Sequence, residues 1–344
     1  MKADNFDFIR VAAAFGVLIS HTPPLHNNTF PLGWLGGVCV FTFFALSGYL
    51  VSGSWERDPH LGRFVARRIL RVFPGLAAVI LVAALIIGPF LTTLSIDDYL
   101  ESAKLKNYLR SMFLFPAYTA FLPGVFETNP YKNTVNGSLW TLPMEVFMYA
   151  ILGLMGALGF LHKRIAPLIL LLAIAGCIKI AMQHPVKLFL TMDLHELSSC
   201  AAAFFGGMLM WNSRNKIPKF SLAWIPLTIA GYMAFGTRFF TPIILIGIPY
   251  AAISLGHAST PYLRRFGRYG DFSYGIYIYA FLIQQTIIAI WPSINIIPYF
   301  FTVSALTLVA AFFSWHVVEK PANSLKRFLV MEPHTVIAQT KPGS

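Results

Sequence analysis

The sequence predicts an all-α, polytopic integral membrane protein of about ten transmembrane helices with both termini in the cytoplasm, and three observations predict it. First, 56% of the 344 residues are hydrophobic and only 12% are charged, with a mean hydropathy of +0.64. Soluble domains carry about 25% charged residues, so the surface of this chain must be solvated by lipid. Second, ten apolar segments approach the roughly 20 residues a helix needs to cross a bilayer. Third, Lys and Arg are unevenly divided between the connections. With the N-terminus inside, eighteen of the 26 fall in cytoplasmic pieces and six in outer ones, the asymmetry that sets topology.

The first segment, 7–24, contains RVAAAFGVLISH at positions 10–21. It has no basic leader and no small-residue cleavage site, so it reads as a retained helix. Segments 33–54 and 72–94 follow, separated by an arginine-rich inner loop. The longest connection, 95–137, lies outside. Its Tyr99, Leu105, Tyr108, Leu109, Met112 and Phe113 predict an amphipathic helix on the outer leaflet. Segments 138–161, 165–184 and 196–212 come next. Segments 221–237 and 240–256 are separated by very little, and 272–292 and 298–318 complete the set. Residues 1–329 form a single transmembrane domain, and 330–344 reads as a short disordered cytoplasmic tail.

Cys39, Cys177 and Cys200 sit in apolar runs without paired spacing or a neighbouring His cluster, so neither a disulfide framework nor a metal site is expected. A net charge of +12 would suit nucleic acid, but the inner loops account for most of it and no nucleic-acid partner is expected. The sequence contains no GxGxxG, Walker loop or HExxH, which argues against an ATP-driven pump or a zinc protease.

Ionisable residues inside a bilayer are costly and mark function by default. Four lie well inside segments, Arg10, His21, Glu145 and Lys179, and the rest lie at span edges. Arg10 and His21 are eleven residues apart, which places them on one helical face about 16 Å apart along the axis. Arg10 also suits a snorkelling anchor, and His21 a helix-end hydrogen bond. Glu145 lies about 10 Å below the outer end of its segment, a depth that matches His21. A buried carboxylate needs a partner, and His21 is the expected one. Glu145 and Tyr149 are i,i+4 and share a face. Pro143 is expected to free the Leu139 carbonyl beside them. The same His–Glu pair also suits a purely structural tie between helices.

Arg63, Arg67, Arg68 and Arg71 form a basic cluster, with Arg68 and Arg71 one turn apart on one face. Guanidinium forks suit phosphates, although an ordinary positive-inside loop is often this basic. Ser47 and Gly48 bring small residues to the inner half of the second segment, for helix packing or for close approach of a narrow substrate.

In this order, the pieces resemble the acyltransferase 3 family of multi-pass membrane acyltransferases. The resemblance runs from about Phe6 to Arg327. It rests on Arg10 and His21; Phe44, Ser47 and Gly48; Arg68, Arg71 and Pro74; Ser138, Leu139, Trp140, Glu145 and Tyr149; Ser273, Tyr274, Gly275 and Tyr277; and Val318, Glu319 and Pro321. It implies a stand-alone O-acyltransferase moving an acyl group, first of all acetyl, from cytoplasmic acyl-CoA to a hydroxyl of an envelope or exported glycan, such as lipopolysaccharide or exopolysaccharide. On this reading His21 and Glu145 are catalytic. Arg10, Ser47, Gly48, Arg67, Arg68 and Arg71 bind the donor, and Phe44, Trp140 and Tyr149 line the site. Acetyl-CoA is a co-substrate, no cofactor or metal is held permanently, and the location is the inner membrane of a bacterium. The rival reading is a proton-coupled exporter of a glycan or small metabolite. The arginine cluster discriminates, because only the enzyme needs a phosphate site.

Overall fold

The computed structural model describes residues 4–114, 118–161, 165–183, 186–187, 193–216, 221–258 and 260–329. Among them the regular elements are all helices, and the only extended pairings are two isolated bridges, Phe121 with Thr134 and Lys187 with Asp193. The expected tail, 330–344, lies outside the described residues.

Helix α1 runs Phe6–Leu25 and α2 runs Gly33–Arg57. Helix α3, Leu61–Leu91, is continuous through a π-turn at Ala83–Ile87. Two short helices, α4 (Ile96–Glu101) and α5 (Ala103–Arg110), cross its end. After a 3₁₀ turn at Gly137–Trp140 comes α6, Thr141–Ala157. Then follow α7 (Ile165–Gln183), α8 (Leu194–Asn212), α9 (Trp224–Met233) and α10 (Phe240–His257). Helices α11 (Ser273–Ile290) and α12 (Ile296–Phe313) close the bundle, and a second π-turn at Ser314–Glu319 extends α12.

All ten apolar segments are helical, and seven of the described helices are long and apolar enough to cross a membrane. Helices α7, α8 and α9 are the other three. The ten residues of α9 span about 15 Å, half of a hydrocarbon core about 30 Å thick. Helix α8 carries His195 and Glu196 in its first turn and buries Ser198 and Ser199 in its second.

The amphipathic stretch 96–113 is two short helices whose apolar positions are divided: Phe113 is exposed, while three of the others turn inward. Tyr99, Leu105 and Tyr108 are buried in the protein core, and the Tyr99 hydroxyl donates to the Ala84 carbonyl at 2.7 Å. That carbonyl lies in the π-turn of α3, where the regular i→i+4 ladder is interrupted. A tyrosine is the economical partner there, because its ring fills the core while its hydroxyl satisfies the backbone.

The rest of the long connection also folds inward. Val125 and Val135 are fully buried. Asn129 donates to the backbone and side-chain oxygens of Gln285, each at 2.9 Å. Gln285 in turn donates to the Tyr131 and Thr134 carbonyls, each at 2.7 Å. Asn136 donates to the Ile278 carbonyl at 2.7 Å and accepts at its own carbonyl from the Tyr118 hydroxyl. This loop is therefore docked along α11, and α6 starts beneath it.

Helices α2 and α8 cross at very close range. A Cβ at Gly48 would overlap the Phe204 carbonyl, and one at Gly207 would overlap the Ala45 carbonyl. Small residues at such crossings let two backbones touch.

Candidate active site

A cavity of about 400 Å³ runs through the bundle between α1, α2, α3, α6 and α11. Ten residues of α2 belong to its wall, and six of them form one stripe along its length: Val40, Phe44, Ser47, Val51, Ser54 and Arg57. These positions recur every three or four residues, so they share one face of the helix. From Val40 to Arg57 the stripe covers about 26 Å.

At mid-length three polar side chains meet. Ser47 Oγ donates to Glu145 Oε1 at 3.1 Å, and the Tyr149 hydroxyl donates to the same oxygen. Ser47 and Tyr149 are themselves 3.4 Å apart. The i,i+4 spacing of Glu145 and Tyr149 on α6 accounts for that part of the geometry. The Arg68 guanidinium lies 5.7 Å from the centroid of the Tyr149 ring and 5.7 Å from that of Phe64. Its Nε is buried without a hydrogen-bond partner, and among the described residues no carboxylate pairs with it. Arg68 is a cation seated over two ring faces, with Glu145 acting on it only at longer range.

The neighbouring arginines are committed elsewhere. Arg71 pairs with Asp271 at 2.8 Å and with Glu319 at 3.5 Å. Arg10 reaches the same Asp271 oxygen at 2.9 Å. Ser273 donates to Asp271 at 2.6 Å and Ser314 to Glu319 at 2.9 Å. The Ser314–Glu319 bond spans five residues, the repeat of the π-turn that contains both. Asp271 thus ties α1 to α3 at the start of α11. Burial pushes its carboxyl pKa up, but Arg10 and Arg71 outweigh this and hold it well below the usual carboxylate range. Arg67 pairs with Asp58 at 2.5 Å and is absent from the cavity wall. The hydrogen bond from Arg63, with help from Arg67, holds the Asp58 carboxyl below its usual range.

His21 does not meet Glu145. Its ring stands edge-on to Phe281 with centroids 5.2 Å apart, and its Nδ1 is buried without a partner. The docked loop explains the difference from the expected pair. A Cβ at Gly137 would lie 2.7 Å from the same Phe281 ring, so His21 is level with the start of the 3₁₀ turn. Glu145 is eight residues deeper, about 12 Å. Because α6 begins beneath the loop, its carboxylate lies at the depth of Ser47 instead. Pro143 lies in the first turn of α6, directly after the 3₁₀ turn. The Ser138 carbonyl, not that of Leu139, accepts from Tyr277 at 2.7 Å.

His21 is nonetheless in line with the cavity. Tyr277 belongs to the wall, and Phe281 is four residues, about 6 Å, further along α11. Of the sequence-predicted residues, Arg10, Phe44, Ser47, Arg68, Arg71, Glu145 and Tyr149 line the cavity. His21, Gly48, Arg67 and Trp140 do not. Gly48 faces α8, where it serves the helix crossing. Lys179 lines a separate, largely apolar cavity of about 1050 Å³ among α7, α8, α9 and α10. Asp271 was not anticipated. Its signal was a carboxylate two residues before Ser273, at the basic end of a span.

A recessed polar cluster, an arginine with no hydrogen-bonded carboxylate among the described residues and a histidine in line with both suit group transfer. The chain belongs to the acyltransferase 3 family, whose acyltransferase domain matches residues 4–316. It is an O-acyltransferase. It is 30% identical to an O-acetyl transferase of Shigella phage Sf6 over 93% of this chain and 96% of the relative. It is also 30% identical to nodulation protein 10 of Rhizobium leguminosarum bv. viciae, over 95% of each chain. A regulator of hypoxia-inducible factor 1 from Caenorhabditis elegans is 26% identical, over 47% of this chain and 35% of that protein. No solved structure matches.

Proposed function

We propose that the protein transfers an acetyl group from cytoplasmic acetyl-CoA to a hydroxyl of an envelope or exported glycan, at the inner membrane of a bacterium with both termini inside. One observation carries the proposal: a cavity about 26 Å long, with an unpaired Arg68 on its wall, ends one helical turn from His21. Coenzyme A is polyanionic at one end and narrow at the other. Its phosphates would meet Arg68, and its pantetheine arm would pass Ser47, Glu145 and Tyr149 toward His21. Similarity to the phage O-acetyl transferase supports acetyl, and the family resemblance supports a glycan acceptor.

In the reaction, neutral His21 takes the proton of the acceptor hydroxyl. The hydroxyl oxygen attacks the thioester carbonyl, the carbon–sulfur bond breaks, and the thiolate takes the proton from the imidazolium. Glu145 is a positioning residue here: it fixes Ser47 and Tyr149 along the donor path.

The hydrogen bond from Ser47 to Glu145 favours a second reading, in which Glu145 takes the Ser47 proton and Ser47 is acylated before the acceptor is. Its weakness is the depth of Ser47, about 12 Å from the level of His21.

The test is transfer of label from acetyl-CoA to crude envelope glycan by purified protein in liposomes, with folding of each variant checked by thermal unfolding. Label in the glycan with wild type, and at least a hundredfold less with His21→Ala, is expected from a general base. Undiminished transfer by His21→Ala overturns that role. Base-labile label on the protein itself, lost in Ser47→Ala, replaces direct transfer with the acyl-serine route.

A further inference from the structure

The basic end of the cavity has a feature that the proposed chemistry does not use. Phe6, Tyr49, Trp211 and His257 all belong to its wall there. They come from four helices, α1, α2, α8 and α10. Their rings meet one another edge-on or tilted: Tyr49 to Trp211 at 5.1 Å, Phe6 to His257 at 5.1 Å and Phe6 to Tyr49 at 5.8 Å.

Each ring is fixed before any ligand arrives. The Tyr49 hydroxyl bonds His257 Nε2 at 2.8 Å. Trp211 Nε1 donates to Glu56 at 2.6 Å, and the Arg214 guanidinium lies over its ring at 4.2 Å. Arg214 is itself paired with Glu56 at 2.6 Å. Room for the indole comes from Gly53, where a Cβ would lie 2.6 Å from the ring. Arg57 completes this end of the wall, and among the described residues no carboxylate pairs with it.

A lipid-facing aromatic belt would need none of this. These rings turn to a polar cavity whose wall also carries Arg57 and, nearer its middle, Arg68, and among the described residues neither has a carboxylate partner. Rigid aromatic walls bind planar bases at little ordering cost, and cations beside them suit phosphates.

We propose that this end of the cavity seats a purine nucleotide, the nucleotide end of the acyl donor, with its base against Trp211 and Tyr49 and its phosphates between Arg57 and Arg68. The inference rests on acyl-CoA being the donor. It adds a specificity element: the protein selects its donor by the base as well as by charge.

The experiment compares acetyl-CoA with S-acetylpantetheine, which carries the same thioester arm without a nucleotide. The preference between them, as a ratio of kcat/KM, is measured for wild type, Trp211→Leu and Trp211→Phe. The expected result is a preference reduced about tenfold in Trp211→Leu, the scale of one lost stacking contact, and largely restored in Trp211→Phe. The fall should lie in the acetyl-CoA KM, not in kcat. A merely structural cluster would depress both donors together and leave the ratio unchanged, which overturns the seat. Binding of 3′-phosphoadenosine 5′-phosphate, followed by calorimetry on wild type, Trp211→Phe and Arg57→Gln, keeps the test open if Trp211→Leu folds poorly. Binding equal in wild type and Trp211→Phe and weakened in Arg57→Gln is the expected pattern. Wild-type protein that binds coenzyme A but not this nucleotide refutes the seat alone. Failure to bind coenzyme A at all overturns the donor reading with it.

Discussion

Arg68 and Arg71 are one turn apart on the same helix, yet the two regions they occupy are electrostatic opposites. Arg71 belongs to a closed network in which two carboxylates and two serine hydroxyls surround two arginines. Arg68 lies over two aromatic rings with a buried Nε left unpaired. A paired cation holds helices together and has little attraction left for a ligand. A cation with no directly bonded carboxylate pays desolvation in the empty protein and recovers it when an anion arrives. The spacing of two arginines on a helix therefore says little about shared work. The carboxylates brought by the rest of the chain divide their labour.

Three measurements would break or sharpen this contrast. The largest effect belongs to Arg71→Ala, which leaves Asp271 and Glu319 short of a counter-ion in a buried setting. Stability should fall by about 3 kcal/mol, read as thermal unfolding in detergent, whereas Arg68→Ala should unfold at or above the wild-type temperature. Equal losses in the two variants would erase the distinction. Next comes donor binding. Arg68→Ala should weaken binding of coenzyme A about thirtyfold, the value of one to two charge-assisted hydrogen bonds. Arg68→Lys should recover part of this, because it restores charge without the fork. The smallest effect is on acid stability. The Asp271 carboxyl is held below its unfolded value, so its contribution is complete above about pH 4 and is lost as pH falls further, toward its folded value. Asp271→Asn should flatten the acid limb of the stability profile. An unchanged limb would mean that the network does not depend on the ionised carboxylate.

Hydropathy made the helices legible, because lipid imposes one solution on each apolar segment. The arginine cluster and the Glu145–Tyr149 face were legible for the same local reason: both are helix periodicities. The depth of Glu145 was not. It depends on Asn129, Asn136 and Tyr118 docking a polar loop onto α11, a long-range event with no local period. Counting from the start of an apolar segment assumed that the segment started at the membrane surface. Asp271 escaped for a related reason. A charge at the edge of a span reads as an interface residue until the fold carries it against Arg10 and Arg71. In the stretch 96–113 the period was legible but the partner was not, since periodicity identifies an apolar face and not that protein covers Tyr99, Leu105 and Tyr108 while Phe113 stays exposed.

The crossing of α2 and α8 has a further consequence for descent. Gly48 and Gly207 each leave room for a backbone carbonyl of the opposite helix, so neither can gain a side chain while the other helix stays in place. The two positions constrain each other's history. A lineage that replaced one would have to separate the helices and reshape the stripe that includes Ser47. Sequence drift should therefore leave this pair fixed together or alter it together, however freely the lipid-facing surface around it changes.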